Sequence, residues 1–273
     1  MRRIRIFLLL LLAFPAQSFG AEAQNAFREG VKYYQAGKYK EALGAFNRAL
    51  KAAPKSDEAY NNRGLAYFKL GQSDNAIKDY DEALKLNPKL TDAYFNLGNA
   101  HMAQKQYEHA VKDFDEVIKL DAHALRAHRQ RGLAHLALKQ FDKAIGDLNQ
   151  AQKMDAKDVE IYYNRGFAYR RLGKNELAVQ DYSEALKLEP KNAETYNNRA
   201  NAYSLLGKYD DAVKDYDEAL KLDVKNAKIY ANRGVIRARQ GKTDDAQKDF
   251  KKAVELDPSL KDKVDALLAP GKR

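Results

Sequence analysis

Between residues 57 and 88 small and apolar side chains return every three or four positions in two short stretches. Ala59, Tyr60, Gly64, Ala66, Tyr67 and Leu70 form one stripe of a helix, and Ala76, Ile77, Tyr80, Ala83 and Leu84 form a stripe of a second. Between them Gly71 supplies a left-handed cap, a conformation glycine adopts cheaply. Asp74 puts a charge of the right sign in the first turn of the second helix, and Pro88 stops it. The pattern predicts two helices packed through their stripes, with Gly64 and Ala76 small where the helices approach.

The same pattern recurs along the chain. Gly30, Gly64, Gly98, Gly132 and Gly166 are each 34 residues apart, and Ala200 and Gly234 continue the series. Ala42, Ala76, Ala110, Ala144, Ala178, Ala212 and Ala246 keep the same step, as do Phe46, Tyr80, Phe114, Leu148, Tyr182, Tyr216 and Phe250. Seven units are therefore expected, at 23–56, 57–90, 91–124, 125–158, 159–192, 193–226 and 227–260. No single pair can bury its stripe alone, so the units must stack and pass stability between neighbours. A further short amphipathic segment in 261–273, with Asp262, Val264, Leu267 and Leu268 before Pro270, is expected to cap the last unit.

In the second unit Tyr60, Arg63, Gly64, Tyr67, Ala76, Tyr80 and Pro88 stand at the places of a known 34-residue signature. On those residues the chain resembles the tetratricopeptide repeat family over nearly its whole length after residue 20. The resemblance implies an all-α, right-handed superhelical solenoid of tandem helix-turn-helix units. The third and fourth units depart from the signature: His101 and His135 replace the late aromatic residue of the first helix, and Ala122 and Ala156 replace the terminal proline.

The first 20 residues have another character. Arg2, Arg3 and Arg5 precede an apolar run from Ile6 to Phe14, which reads as a secretory signal peptide. Ser18 and Gly20 suit a cut before Ala21, while Ala21 and Ala23 would allow one before Gln24. The run is shorter than the ~20 apolar residues that span a bilayer, so no integral membrane segment is expected in the mature form. Residues 21–260 then form the repeat region of an exported protein, periplasmic or secreted. Losing three arginines and no acid lowers the formal charge from +10 to +7. An excess of that size among interleaved charges draws anionic partners only mildly. There is no cysteine, hence no disulfide and no thiolate metal site.

A regular charge pair runs through the units. Arg63, Arg131, Arg165, Arg199 and Arg233 lie on first helices, and Asp79, Asp113, Asp147, Asp181, Asp215 and Asp249 on second helices. Pairing within each unit is expected, leaving Asp113 without a partner opposite Leu97, and the first unit lacks both residues.

The candidate binding residues lie on the first-helix face away from the stripe. Its sixth place carries Asn62, Asn96, Gln130, Asn164, Asn198 and Asn232, after Arg28 in the first unit. Asparagine is a mediocre helix former, so its repetition asks for a reason. A carboxamide presents a donor beside an acceptor and so matches both groups of an extended peptide bond. Packed helices lie ~8 to 10 Å apart and an extended chain advances ~3.3 Å per residue, so such a row would grip about every third residue. The family resemblance implies the same use, since related superhelices hold peptide backbone with asparagines at this place. An asparagine satisfying its own helix or a neighbour is the other reading. Apolar Leu65, Leu133, Phe167 and Val235 at the ninth place, with Tyr34, Phe68, Met102 and Leu136 at the twelfth, suggest anchors toward the first half. Arg170, Arg171 and Arg239 make the later part basic, which suits an acidic stretch of ligand. Asn99 and Asn201 fit one member of the terminal-carboxylate clamp found in cochaperone relatives. Phe95, Asn197 and Glu160 stand where that clamp needs other groups, so a chaperone-tail clamp is not expected.

Other chemistries find no support. His101, His109, His123, His128 and His135 cluster in two units, but His101, His128 and His135 hold places that are otherwise aromatic, and no ligand spacing is completed. Most tyrosines, among them Tyr196 and Tyr203, are claimed by the core, so base stacking and nucleic-acid binding are not expected. No nucleophile elbow, phosphate loop or metal-binding helix motif is present, and no cofactor is implied. The expectation is a non-enzymatic module that binds a protein or peptide partner in its groove. The alternative is a structural subunit of an envelope or secretion assembly that uses its convex or end surfaces.

Overall fold

The computed structural model describes residues 20–268, all helical apart from short connections; the signal-peptide reading and Pro270 lie outside them. The helices are α1 (Ala21–Gln35), α2 (Tyr39–Ala52), α3 (Asp57–Lys69), α4 (Ser73–Leu86), α5 (Thr91–Ala103), α6 (Tyr107–Leu120), α7 (Leu125–Ala137), α8 (Phe141–Met154), α9 (Val159–Arg171), α10 (Asn175–Leu188), α11 (Ala193–Leu205), α12 (Tyr209–Leu222), α13 (Ala227–Arg239), α14 (Thr243–Leu256) and α15 (Lys261–Leu268). Among the described residues none is long and apolar enough to cross a membrane.

Local chemistry sets the ends of each helix. Ser56, Asp158, Asn192 and Asn226 cap first helices by accepting a backbone N–H with the side chain. Several first helices close on a left-handed glycine, such as Gly71 at φ +75°. In the third and fourth repeats Lys105 and Lys139 take that conformation at φ 60° and 59°, without a glycine's freedom.

Packing within a pair turns on the small residue of the first helix. A Cβ added at Gly64 would lie 2.7 Å from the Tyr80 ring and 3.2 Å from the Ala76 carbonyl oxygen. At Gly30 it would meet Phe46 at 2.6 Å, and at Gly234 it would meet Phe250 at 2.8 Å. The absence of a side chain there lets a large ring from the second helix bury completely. Ala42, Ala76, Ala110, Ala144, Ala178 and Ala212 are fully enclosed on the other side of the joint.

The described residues form two compact units, which divide between Gln104 and Lys105. In the first, α1 packs on α2, α2 on α3, α3 on α4 and α4 on α5. In the second, packing runs unbroken from α6 to α14, and Val264 of α15 is buried against Ala246 and Phe250. Within each unit first helices also touch the next first helix: α1 meets α3 and α3 meets α5, while α7, α9, α11 and α13 form one series. Second helices do not approach one another to the same extent. The first helices therefore line the tighter face of each unit.

Candidate functional site: the first-helix face

The arginine at the seventh place of a repeat fixes the first helix against two second helices. Arg63 donates to Asp79 from Nε at 2.8 Å and Nη2 at 2.7 Å, and from Nη1 to Asn47 of the preceding repeat at 2.8 Å. Arg131, Arg165, Arg199 and Arg233 grip Asp147, Asp181, Asp215 and Asp249 in the same forked way. Their third arm reaches Asp115, Asn149, Ser183 and Asp217 of the preceding repeat. Pairing within the repeat is thus as expected, but the bridge backward was missed. Its signal is a series of short polar residues 16 positions before each arginine. Asp113 is not the leftover that the pairing scheme expected, for it too has an interaction. The first repeat substitutes another pair, Arg48 to Glu29 at 2.6 Å.

Burial pushes the carboxyls of Asp181 and Asp215 up, against the hydrogen bonds from Arg165 and Arg199. Desolvation thus consumes much of the attraction, and the forked pair orients the helices more than it adds net stability. Tyrosines complete the setting: the Arg63 guanidinium lies 5.3 Å from the Tyr60 ring centre and 5.9 Å from that of Tyr67, and Arg199 sits likewise between Tyr196 and Tyr203. These residues form the framework behind the site.

On the framework stands the asparagine row. Asn62, Asn96, Gln130, Asn164, Asn198 and Asn232 are all half-buried. Asn62 and Asn164 donate to their own helix, at Glu58 O (2.8 Å) and Glu160 O (2.7 Å). The others named here reach back one repeat: Asn96 to Asn61 Oδ1 (2.9 Å), Asn198 to the Tyr163 hydroxyl (2.9 Å) and Asn232 to Asn197 Oδ1 (3.3 Å). Both local readings of asparagine are therefore used, yet each bond takes one N–H only. The carboxamide oxygens accept nothing from the described residues and are not sealed from water. Each keeps an acceptor and an N–H that no described residue takes. Asn99 and Asn201 are half-buried as well, and Asn201 accepts the Tyr216 hydroxyl at 2.7 Å.

The apolar candidates are less open than a bare patch. Leu65, Phe68, Met102, Leu133, Leu136 and Phe167 are all half-buried. Leu65 and Phe68 rest on the core around Tyr80 and Leu97, and Val235 does so near Phe250. Phe167 meets Phe141 edge-on at 6.5 Å, and Arg170 and Arg171 lie 5.6 Å and 5.9 Å from its ring centre. Arg170 is half-buried, while Arg171 and Arg239 are exposed.

The fourth repeat carries an exception. His128 and His135, each 7% exposed, occupy the two tyrosine places beside Arg131. His128 Nδ1 lies 3.2 Å from Asp147 Oδ1, His135 Nε2 lies 3.8 Å from Asp147 Oδ2, and His135 Nδ1 is 2.8 Å from Gln140. Burial lowers the pKa of His135 against the pull of Gln140 and Asp147. Among the described residues no group of three such side chains is arranged to hold a metal ion.

Helix pairs stacked through small-residue joints, with first helices side by side on one face, define a tandem-repeat module of the protein-interaction class. The chain belongs to the tetratricopeptide repeat family: the description "TPR repeat" matches residues 30–71, 64–105, 136–173 and 168–207, and "Tetratricopeptide repeat" matches 91–123, 193–226 and 227–260. The C-terminal part of a TPR repeat-containing protein from Cytophaga hutchinsonii is similar at 21% identity and TM-score 0.74, covering 89% of this chain and 99% of that one. A tetratricopeptide repeat protein from Parabacteroides merdae is similar at 20% identity and TM-score 0.66, with 92% and 100% covered. YrrB, described as a TPR protein with an unusual peptide-binding site, is similar at 20% identity and TM-score 0.60, with 65% and 92% covered. At these identities the likeness concerns the fold. No curated protein matches the sequence.

Proposed function

We propose that the first-helix face of each compact unit is a groove that binds an extended segment of a protein partner, and that the chain is a non-enzymatic binding module. One observation carries the reading: carboxamides recur on neighbouring first helices, half-buried, each with an oxygen that no described residue uses. Half-burial fixes the amide by packing, and the spare acceptor gives it something to offer a peptide backbone. Leu65, Phe68 and Met102 in the first unit, and Leu133, Leu136 and Phe167 in the second, supply partly covered apolar surface beside the row. The peptide-binding site in the description of YrrB is in keeping with this use. The sequence reading of an exported, periplasmic or secreted protein forms part of the proposal.

A second reading, a scaffold that docks through other surfaces, has one observation in its favour. Leu86, Leu120, Leu188 and Leu222, each at the last position of a second helix, are 37% to 43% exposed. The two readings separate on the double variant Asn164→Ala with Asn198→Ala, assayed against peptides selected from a display library on the wild-type protein. Groove binding predicts a loss of ~0.5 to 1.5 kcal/mol per hydrogen bond with the helical circular-dichroism signal intact. Unchanged affinity in a folded variant sinks it.

A further inference from the structure

Glu194 and Asn198 stand four residues apart on one face of α11, and Tyr163 of α9, in the preceding repeat, brings its hydroxyl to both. The hydroxyl donates to Glu194 Oε1 at 2.6 Å and accepts from Asn198 Nδ2 at 2.9 Å. The direction of these bonds follows from what each group can do. An ionised carboxylate accepts and cannot donate, and a phenol has one proton to give. With that proton committed to Glu194, the Tyr163 oxygen can only accept, so Asn198 must turn its nitrogen toward it.

The Asn198 carboxamide is thereby held in one of its two flips, and its Oδ1 accepts from no described residue and is not sealed from water. Asn96 and Asn232 also donate one repeat back, at 2.9 Å and 3.3 Å, but to the carboxamides of Asn61 and Asn197. A carboxamide carries both a donor and an acceptor, so either flip can close those pairs. Of these three backward bonds, the one to Tyr163 alone dictates which end of the amide is left over. Its mounting is firm: the Tyr163 ring packs on Ala178, Tyr182 and Ala202, and meets the fully enclosed Tyr182 ring edge-on at 6.0 Å. Burial holds the Tyr163 proton beyond the ordinary range, the bond to Glu194 adds to the rise, and the bond from Asn198 opposes it. Glu194 itself lies in the first turn of α11, where the helix favours a negative charge.

We infer that Tyr163 and Glu194 are positioning residues of the binding face, acting through Asn198 by holding its Oδ1 as an acceptor for a backbone N–H of the bound peptide; this rests on the groove reading above. Neither residue has to touch the peptide. An amide whose flip is set before the peptide arrives loses less freedom on binding than one that is free to turn.

The test titrates acetylated and amidated twelve-residue peptides, selected by display on the full chain, against the wild-type protein and its variants. Tyr163→Phe, which removes the hydroxyl and keeps the ring, is expected to weaken binding about three- to tenfold and to have no further effect in an Asn198→Ala background. Glu194→Ala frees the hydroxyl proton to reach the Asn198 oxygen and is expected to weaken binding to a similar degree, whereas Glu194→Gln keeps an acceptor for the hydroxyl and binds as the wild type does. The side-chain amide NMR signals of Asn198, identified by their loss in Asn198→Ala, are expected to shift and to exchange faster with solvent in Tyr163→Phe. Unchanged affinity in Tyr163→Phe, an equal loss in the Asn198→Ala background, or an Asn198 signal that Tyr163→Phe leaves in place overturns the inference and leaves the groove standing. Equal losses in Glu194→Ala and Glu194→Gln mark a charge contact with the peptide and overturn it as well. Selection of no peptide, or binders unaffected by Asn164→Ala with Asn198→Ala, overturns the groove and the positioning role together.

Discussion

At the scale of single residues the repeat is controlled by where a side chain is missing. Gly64 and Gly146 both sit inside helices, where glycine costs ~0.5 to 1 kcal/mol relative to alanine. A Cβ at Gly64 would enter the Tyr80 ring at 2.7 Å, while one at Gly146 meets nothing within 4 Å. Gly64→Ala is therefore expected to destabilise the protein by ~1 to 3 kcal/mol through overpacking, and Gly146→Ala to stabilise it by ~0.5 to 1 kcal/mol. Urea midpoints of the two variants check this, and shifts of the same sign would count against the packing account. Alanine already stands at the equivalent place in the sixth repeat, Ala200, fully buried, so the joint tolerates a methyl group where its surroundings have adjusted.

At the scale of helices the fourth repeat is expected to respond to pH through its buried histidines. Its two ring places hold His128 and His135, and the groups facing His135 are Asp147, Arg131, Gln140 and Lys143. Since burial sets the folded pKa of His135 below the ordinary 6.5, folding favours the neutral ring. The stability it contributes is complete above the unfolded value and is lost as pH falls from there through the folded value. Acidification from about pH 7.5 to about pH 5.5 is expected to lower the melting temperature more in the wild-type protein than in His135→Tyr, which restores the residue type of other repeats. Parallel pH profiles for the two proteins would contradict this assignment.

At the scale of the molecule stability passes from pair to pair, so an end matters beyond its own contacts. Val264, 4% exposed, closes the last joint by covering Ala246 and Phe250. Val264→Asp places a charge on that apolar seat, where an uncompensated polar group is costly. Amide hydrogen exchange is expected to accelerate first in α13 and α14 and least in α7 and α8. Uniform acceleration from α7 to α14 would mean that the second unit opens as one body.

The sequence alone determined the helix pairs, their period, the small-residue joints and the arginine–aspartate pairing, because each of these is a local or fixed-interval demand that repeats in every copy. Gly64 and Tyr80 could be matched without coordinates, since 16 residues separate them in a unit of constant geometry. What joins one repeat to the next was legible only in part. The backward arm of Arg63 to Asn47, the second interaction of the asparagines through Asn61, Tyr163 and Asn197, and the engagement of Asp113 were decided by tertiary structure. So was the contrast between Arg165, whose three nitrogens are taken by Asp181, Asn149 and Gln152, and Arg170, whose Nε makes no hydrogen bond. Residue type and spacing specify which groups want partners; only packing decides which of several candidates within reach is met.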